Sequence, residues 1–283
     1  MTEPLIPDAS PQAGSLRTAL AWTHTARFLT TAARLDQLPT SLLPEIAFVG
    51  RSNAGKSTAI NTLAQQRRLA FASKTPGRTQ HINLFSVGPK DAPEALFADL
   101  PGYGYAAVER QAKLRWQQVM ADYLAQRRNL AGVVLLVDPR LGLTDLDQRL
   151  LDFVRPRIAV GEVKLMVVLT KTDKLNRAES TRALAAAQEA LAEHVTEDAD
   201  VGLLLFSALK RVGVDDLAGS LREWADGCRA RWAAALAAAP AAEPGAEPAG
   251  DTPQDAVPEP GPAPEAHAPT EASASDSPPP AAP

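Results

Sequence analysis

The chain has 283 residues, 45% hydrophobic, 22% charged and 5% aromatic, a length that allows one large domain or two small ones. Positions 233–283 contain no Lys or Arg, 13 of the 24 prolines and eight acids, a composition with little to bury against the entropy of ordering it. Taking those eight from the 33 acids leaves 25 against 29 Lys and Arg, so 1–232 carries a formal charge of +4 although the whole chain carries −4. Apolar stretches such as 133–137 fall far short of the roughly 20 residues that span a bilayer. Positions 1–14 are acidic and proline-containing and lack the apolar core of a secretion signal. The expectation is a cytoplasmic, monomeric protein with no membrane contact. The single cysteine, Cys228, permits no internal disulfide and no cysteine-based metal cluster. Its spacing from Leu217, Leu221 and Trp224 assigns it to the apolar face of a helix.

In chain order, 1–15 reads as a flexible N-terminus. An amphipathic lead-in over 16–35 carries Trp22, Phe28 and Leu29 and reads as a helix or arm packed on the domain. Short apolar runs then alternate with helical patterns. Strands are predicted at 46–49, 81–87, 95–99, 133–138, 164–169 and 203–206, and helices at 56–69, 113–128, 147–160, 179–194 and 214–232. This alternation predicts an α/β fold of three layers: a mainly parallel, six-stranded sheet with helices on both faces, occupying 16–232. The remainder, 233–283, reads as a disordered acidic tail rich in Ala, Pro and Glu.

The run Gly50-Arg51-Ser52-Asn53-Ala54-Gly55-Lys56-Ser57 fits the phosphate-loop pattern, two glycines five apart followed by Lys and Ser. A strand feeds it and a helix leaves it, so backbone N–H groups and the helix N-terminus can surround a nucleotide's phosphates. Lys56 reaches the β- and γ-phosphates, and the Ser57 hydroxyl can ligate Mg²⁺. A phosphate loop alone does not separate a kinase, an ATPase and a GTPase. Asp99-Leu100-Pro101-Gly102 ends a strand, where Asp99 can hold Mg²⁺ through water and the Gly102 N–H can meet the γ-phosphate. Thr170-Lys171-Thr172-Asp173 follows another strand at the sheet's C-terminal edge. There Asp173 can accept from the ring N–H and amino group of guanine, which adenine cannot supply. Phe206-Ser207-Ala208-Leu209 closes the last strand, where its backbone can contact the guanine carbonyl. A small-molecule kinase leaves the last two motifs unexplained, and a guanine-nucleotide binding module with negligible hydrolysis stays open.

With GRSNAGKS at 50–57, KTPGRTQ at 74–80, DLPGYGY at 99–105, TKTD at 170–173 and FSALK at 206–210, the chain resembles the EngB family. That family, also called YihA or YsxC, belongs to the TrmE-Era-EngA-EngB-Septin-like class of GTPases. The resemblance covers about residues 20–230. It implies a Mg²⁺-dependent GTPase that takes GTP to GDP and phosphate, acts in assembly of the large ribosomal subunit, and supports cell division and septation. Its implied partner is the large subunit or a precursor, through ribosomal RNA. It also implies that Gly77, Arg78, Thr79, Gln80 and His81 belong to a switch segment over 71–81, with Thr79 joining Ser57 at Mg²⁺ and Thr75 as the alternative.

Two positions depart from the commonest GTPase pattern. Thr170 stands where many GTPases have Asn, which predicts a shortened or lost bridge between base and phosphate loop. Tyr103 stands where Ras-like enzymes have the Gln that orients attacking water, which predicts slow intrinsic hydrolysis and leaves the catalytic residue unknown. Asn53 matches the phosphate-loop Asn of some potassium-activated GTPases, so K⁺ is a candidate cofactor. Arg110, Lys113, Arg115, Arg127 and Arg128, with Lys74, Arg78, Lys210 and Arg211, read either as a solvated basic surface or as contacts to RNA phosphates.

Overall fold

The computed structural model describes residues 11–70, 81–104 and 110–238. Gly77, Arg78, Thr79 and Gln80 of the expected switch segment, and the expected tail beyond 238, lie outside the described residues.

Seven strands form one sheet in the order β1-β3-β4-β2-β5-β6-β7. The central strands β2 (Glu45–Gly50) and β5 (Leu130–Val137) are buried along their whole length, as expected of aliphatic runs covered on both faces. β2 pairs in parallel with β4 (Ala95–Asp99) and with β5, and β6 (Lys164–Leu169) and β7 (Val201–Leu205) continue the parallel side. β3 (Ile82–Val87) is antiparallel to β4, and β1 (Arg27–Ala32) is antiparallel to β3 at the edge.

The sheet therefore has one strand more than the six predicted. The lead-in supplies it, dividing into helix α1 (Pro11–Thr23) and β1. Helix α1 also begins inside the stretch expected to be a flexible N-terminus. β1 escapes a period-two reading because Phe28 and Leu29 are both exposed and the pairing with β3 shifts register between Phe28 and Thr30.

Alternate residues of the sheet feed two separate cores. Ala47, Val49, Val133 and Leu135 pack with α3 (Arg110–Gln126), α4 (Asp145–Ala159) and α5 (Arg177–Leu191) through Tyr123, Leu151, Val154 and Leu191. Ile46, Phe48, Val134 and Leu136 pack on the other face with α1, α2 (Lys56–Leu63) and α6 (Val214–Ala238) through Trp22, Ile60, Leu63 and Leu221. Trp22 meets the edge of Phe97 at 5.8 Å and carries the Arg222 guanidinium 5.1 Å over its ring, which ties α1 to the sheet and to α6. A Cβ at Gly132 would lie 2.3 Å from the Trp224 ring, so the close seat of α6 on β5 requires glycine there. Cys228 is buried on α6, as its spacing predicts.

Two helix ends differ from expectation. α2 stops at Leu63 rather than 69, where Gln65 adopts φ +54° and turns the chain away. α6 continues past Trp232 to Ala238, because the alanine run after Trp232 is helix-favouring in its own right.

Candidate nucleotide site

The expected motifs meet at the C-terminal ends of the parallel strands. β2 delivers the chain to Gly50, whose φ is +152° and where a Cβ would lie 2.5 Å from the Leu136 carbonyl oxygen. The loop then passes Asn53 at φ +66° and enters α2 through Gly55 at φ +103°. These positive angles favour glycine and, among other residues, asparagine. The first N–H groups of α2 lack intrahelical acceptors by construction and face the loop's concavity.

Lys56, 8% exposed, donates to Asp99 Oδ1 at the end of β4, and Asp99 is 1% exposed. Asp99 Oδ2 is buried and has no hydrogen-bond partner among the described residues. An orphaned carboxylate oxygen close to the helix that begins Lys56-Ser57 is the hard-oxygen donor set that Mg²⁺ takes, so these residues fit the implied ion. The loop after β4 lies directly against the phosphate loop. A Cβ at Gly102 would sit 3.1 Å from Ser52 N and Cα, and the Ser52 N–H donates to the Tyr103 carbonyl at 2.8 Å. Leu100 and Pro101 are buried behind it, while His81, the described end of the switch segment, is exposed.

On the other side, Thr170 is buried and its hydroxyl donates to the Ala54 carbonyl at 2.6 Å, with the Val137 carbonyl at 3.1 Å. The TKTD segment is thus bridged to the phosphate loop through the short Thr170 side chain. A threonine suffices because the acceptor is the loop's own backbone, within reach of a short side chain. Lys171, at φ +56°, extends its ammonium to the Asn53 carbonyl at 2.5 Å and to Asp138 Oδ2 at 3.0 Å. Thr172 opens a short 3-10 turn and its N–H donates to the Phe206 carbonyl at 3.2 Å, joining the TKTD and FSALK segments. Ser207 Oγ donates to Asp173 Oδ1 at 2.6 Å and accepts from the Lys210 N–H at 3.1 Å. The serine's hydrogen bond holds the Asp173 carboxyl below its ordinary pKa. Asp173 is therefore a pure acceptor at neutral pH, the form that pairs with two N–H donors. Ala208 is half-buried behind this pair.

Two residues of this arrangement escaped the sequence reading. Asp138 follows β5 and is bound by Arg140 at 2.5 Å and by Lys171, which together hold its carboxyl well below the usual range, Arg140 foremost. Its signal was the same as that of Asp99, an acid closing an apolar strand at this edge. Asp147, near the start of α4, accepts from the buried Tyr103 hydroxyl. Thr144 three residues before it marks a helix start, but nothing local points from that cap to Tyr103. Among the basic residues, Arg127 is committed to the fully buried Glu45 at 3.0 Å and to the Pro39 carbonyl, which removes it from a free surface. Arg128, Lys210 and Arg211 are exposed. No helix among the described residues is long and apolar enough to cross a membrane.

Comparison with known proteins agrees with this geometry. The family model described as "50S ribosome-binding GTPase" matches residues 45–171. The probable GTP-binding protein EngB of Albidiferax ferrireducens is 60% identical over 207 residues, covering 73% of this chain and 96% of that protein. The protein of the same description from Acidovorax ebreus is 60% identical over 206 residues, covering 73% and 91%. The crystal structure of Era bound to MgGDPNP and part of 16S ribosomal RNA superposes with a TM-score of 0.50 at 21% identity, covering 64% of this chain and 56% of that one, a likeness of fold. This chain belongs to the EngB family and carries its GTPase domain.

Proposed function

We propose that this GTPase works as a nucleotide-controlled switch in assembly of the large ribosomal subunit, in the cytoplasm and as a monomer, and that normal division and septation depend on it. The nucleotide part of the reading rests on the convergence of four separate segments, 50–57, 99–102, 170–173 and 206–208, on one sheet edge with Asp173 oriented by Ser207; the ribosomal part rests on family membership, the matching model being described as "50S ribosome-binding GTPase". That arrangement suits one ligand class, a guanine nucleotide. Asp173 accepts from the guanine ring N–H and amino group, while the Ala208 backbone lies near the base carbonyl. Lys56 and the N–H groups from Asn53 to Ser57 take the phosphates. Ser57 and Thr79 would hold Mg²⁺, with Asp99 acting through water, and the ion, when bound, would supply neutralisation of phosphate charge. In hydrolysis, water attacks the γ-phosphorus, the bond to the β–γ bridging oxygen breaks, and GDP and phosphate leave. Tyr103 has its hydroxyl on Asp147, so its side chain is not the one that orients that water, in keeping with slow intrinsic turnover. K⁺ bound at the Asn53 side chain is a candidate activator.

The partner test is sedimentation with large-subunit precursors. A non-hydrolysable GTP analogue is expected to promote co-sedimentation and GDP to weaken it, because a ligand shifts a state only through differential contact. Charge removal at Lys113 or Arg115 is expected to flatten the slope of log affinity against log salt by roughly one unit each. Binding indifferent to the nucleotide would overturn the switch reading.

A further inference from the structure

Tyr103 follows Gly102 on the loop to which the proposed function gives the γ-phosphate contact, yet its side chain leaves that loop. The ring is 4% exposed and its hydroxyl donates to Asp147 Oδ1. The other oxygen of Asp147 accepts from Thr144 N–H at 2.7 Å and from the Thr144 hydroxyl at 2.6 Å, closing the first turn of α4. The backbone of Tyr103 faces the opposite way. Its carbonyl takes the Ser52 N–H at 2.8 Å and its N–H points to the Gly50 carbonyl at 3.4 Å. One residue thus joins the phosphate loop on one side to the start of α4 on the other. Gly104, at φ +77°, turns the chain immediately afterwards, with a Cβ position 2.9 Å from Arg51 Nε and 3.4 Å from Leu146 Cδ1.

We infer that Tyr103 is a positioning residue that latches Gly102 against the phosphate loop, with Asp147 as the catch; the inference rests on the reading that the Gly102 N–H meets the γ-phosphate. A hydrogen bond onto a carboxylate is stronger than one between neutral groups, and burial keeps this phenol protonated and donating, its pKa held well above the ordinary value. A loop held in place during folding has met its ordering entropy before the nucleotide arrives. GTP differs from GDP only in the γ-phosphate, so the latch favours GTP and leaves GDP untouched. It also gives α4 a direct connection to the phosphate-sensing loop, so displacement of one end must be felt at the other.

The experiment measures affinities of the full chain for a fluorescent non-hydrolysable GTP analogue and for fluorescent GDP, with thermal melting beside them. Tyr103→Phe keeps the ring in its pocket and removes only the donor. It is expected to weaken the GTP analogue roughly tenfold while leaving GDP affinity unchanged. Asp147→Ala is expected to give the same shift in the ratio together with a lower Tm, since it also uncaps α4. The double variant is expected to shift the ratio no further, the mark of two residues acting through one bond. Thr144→Ala separates latch from cap, lowering Tm with the nucleotide ratio unchanged. Equal losses for both nucleotides in Tyr103→Phe, or a Thr144→Ala shift as large as that of Asp147→Ala, would overturn the latch while leaving the site reading intact. A wild-type chain that binds neither nucleotide would overturn both.

Discussion

At the base-reading end of the site, loop is tied to loop: the Thr170 hydroxyl on the Ala54 carbonyl, the Lys171 ammonium on the Asn53 carbonyl, and Ser207 on one oxygen of Asp173. At the phosphate end, a ligand-binding group itself is engaged, Lys56 by Asp99. A nucleotide can therefore enter the base end with little rearrangement, because Asp173 keeps an oxygen for it. At the phosphate end it must share or replace existing partners. On the proposed reading, the difference separates two tasks within one site: the preformed end decides which base is bound, and the end that exchanges partners registers which phosphates are present.

The contrast is broken most severely at Lys56. Its pair with Asp99 is buried on both sides, and removing one partner of a buried ion pair costs about 3–5 kcal/mol because a charge is left without compensation. Lys56→Ala is expected to lose nucleotide binding and to lower stability to urea by an amount of that order. Loss of binding with unchanged stability would show that the pair contributes nothing to the fold and that both ends are preformed.

Asp173→Asn is expected to alter selectivity without that loss of stability, since Asp173 is only half-buried and, among the described residues, is bound through its side chain to Ser207. GTP affinity should fall on the order of a hundredfold, as a charged pairing is lost. Xanthosine triphosphate should gain, because its 2-oxo group accepts from the new amide. Competition binding with the two nucleotides reads this directly, and guanine selectivity that survives the change would remove Asp173 from the site.

Thr170→Val tests the preformed end itself. Valine nearly matches threonine in volume but leaves the buried Ala54 carbonyl without its donor, a loss of about 1–3 kcal/mol. Both GTP and GDP should weaken by a similar factor, roughly tenfold, because the phosphate loop loses a brace common to both states. A loss confined to GTP would mean that this end also registers the γ-phosphate.

How much of this was legible in the sequence follows the same division. The phosphate loop, the DLPG loop and the TKTD segment each announce themselves by residue type and by their place after an apolar strand, and the structure brings them to one edge. The strands behind them were also readable, because buried parallel strands such as β5 are continuous aliphatic runs. What could not be read depended on pairing across the fold. β1 is an edge strand whose exposed Phe28 and Leu29 break the alternation. The Tyr103–Asp147 bond joins residues 44 apart in sequence, and neither side chain reveals the other. The acceptor of the Thr170 bridge is the Ala54 carbonyl, whose place no side-chain comparison with Asn reveals.

The smallest expected effect concerns Asp138, a carboxylate at the base end that carries ion pairs. Asp138 is buried, but its partners are exposed to solvent, Arg140 by about half (49%) and Lys171 by 29%, unlike the enclosed Lys56–Asp99 pair. Solvent screening limits such a pair to about 1 kcal/mol or less. The folded-state pKa of Asp138 is depressed, chiefly by the Arg140 hydrogen bond and then by Lys171. Its contribution is therefore complete above the unfolded-state value near pH 4 and declines as pH falls below it toward the folded value. Urea unfolding of wild type and Asp138→Asn is expected to show a small difference at pH 7 that narrows at pH 3.5, where the unfolded aspartate is already protonated. A difference that widens on acidification would reverse the sign and show that Asp138 is held by burial rather than by its two cations. In that case the two ends of the site would differ in their hydrogen bonding alone, not in the depth of their charges.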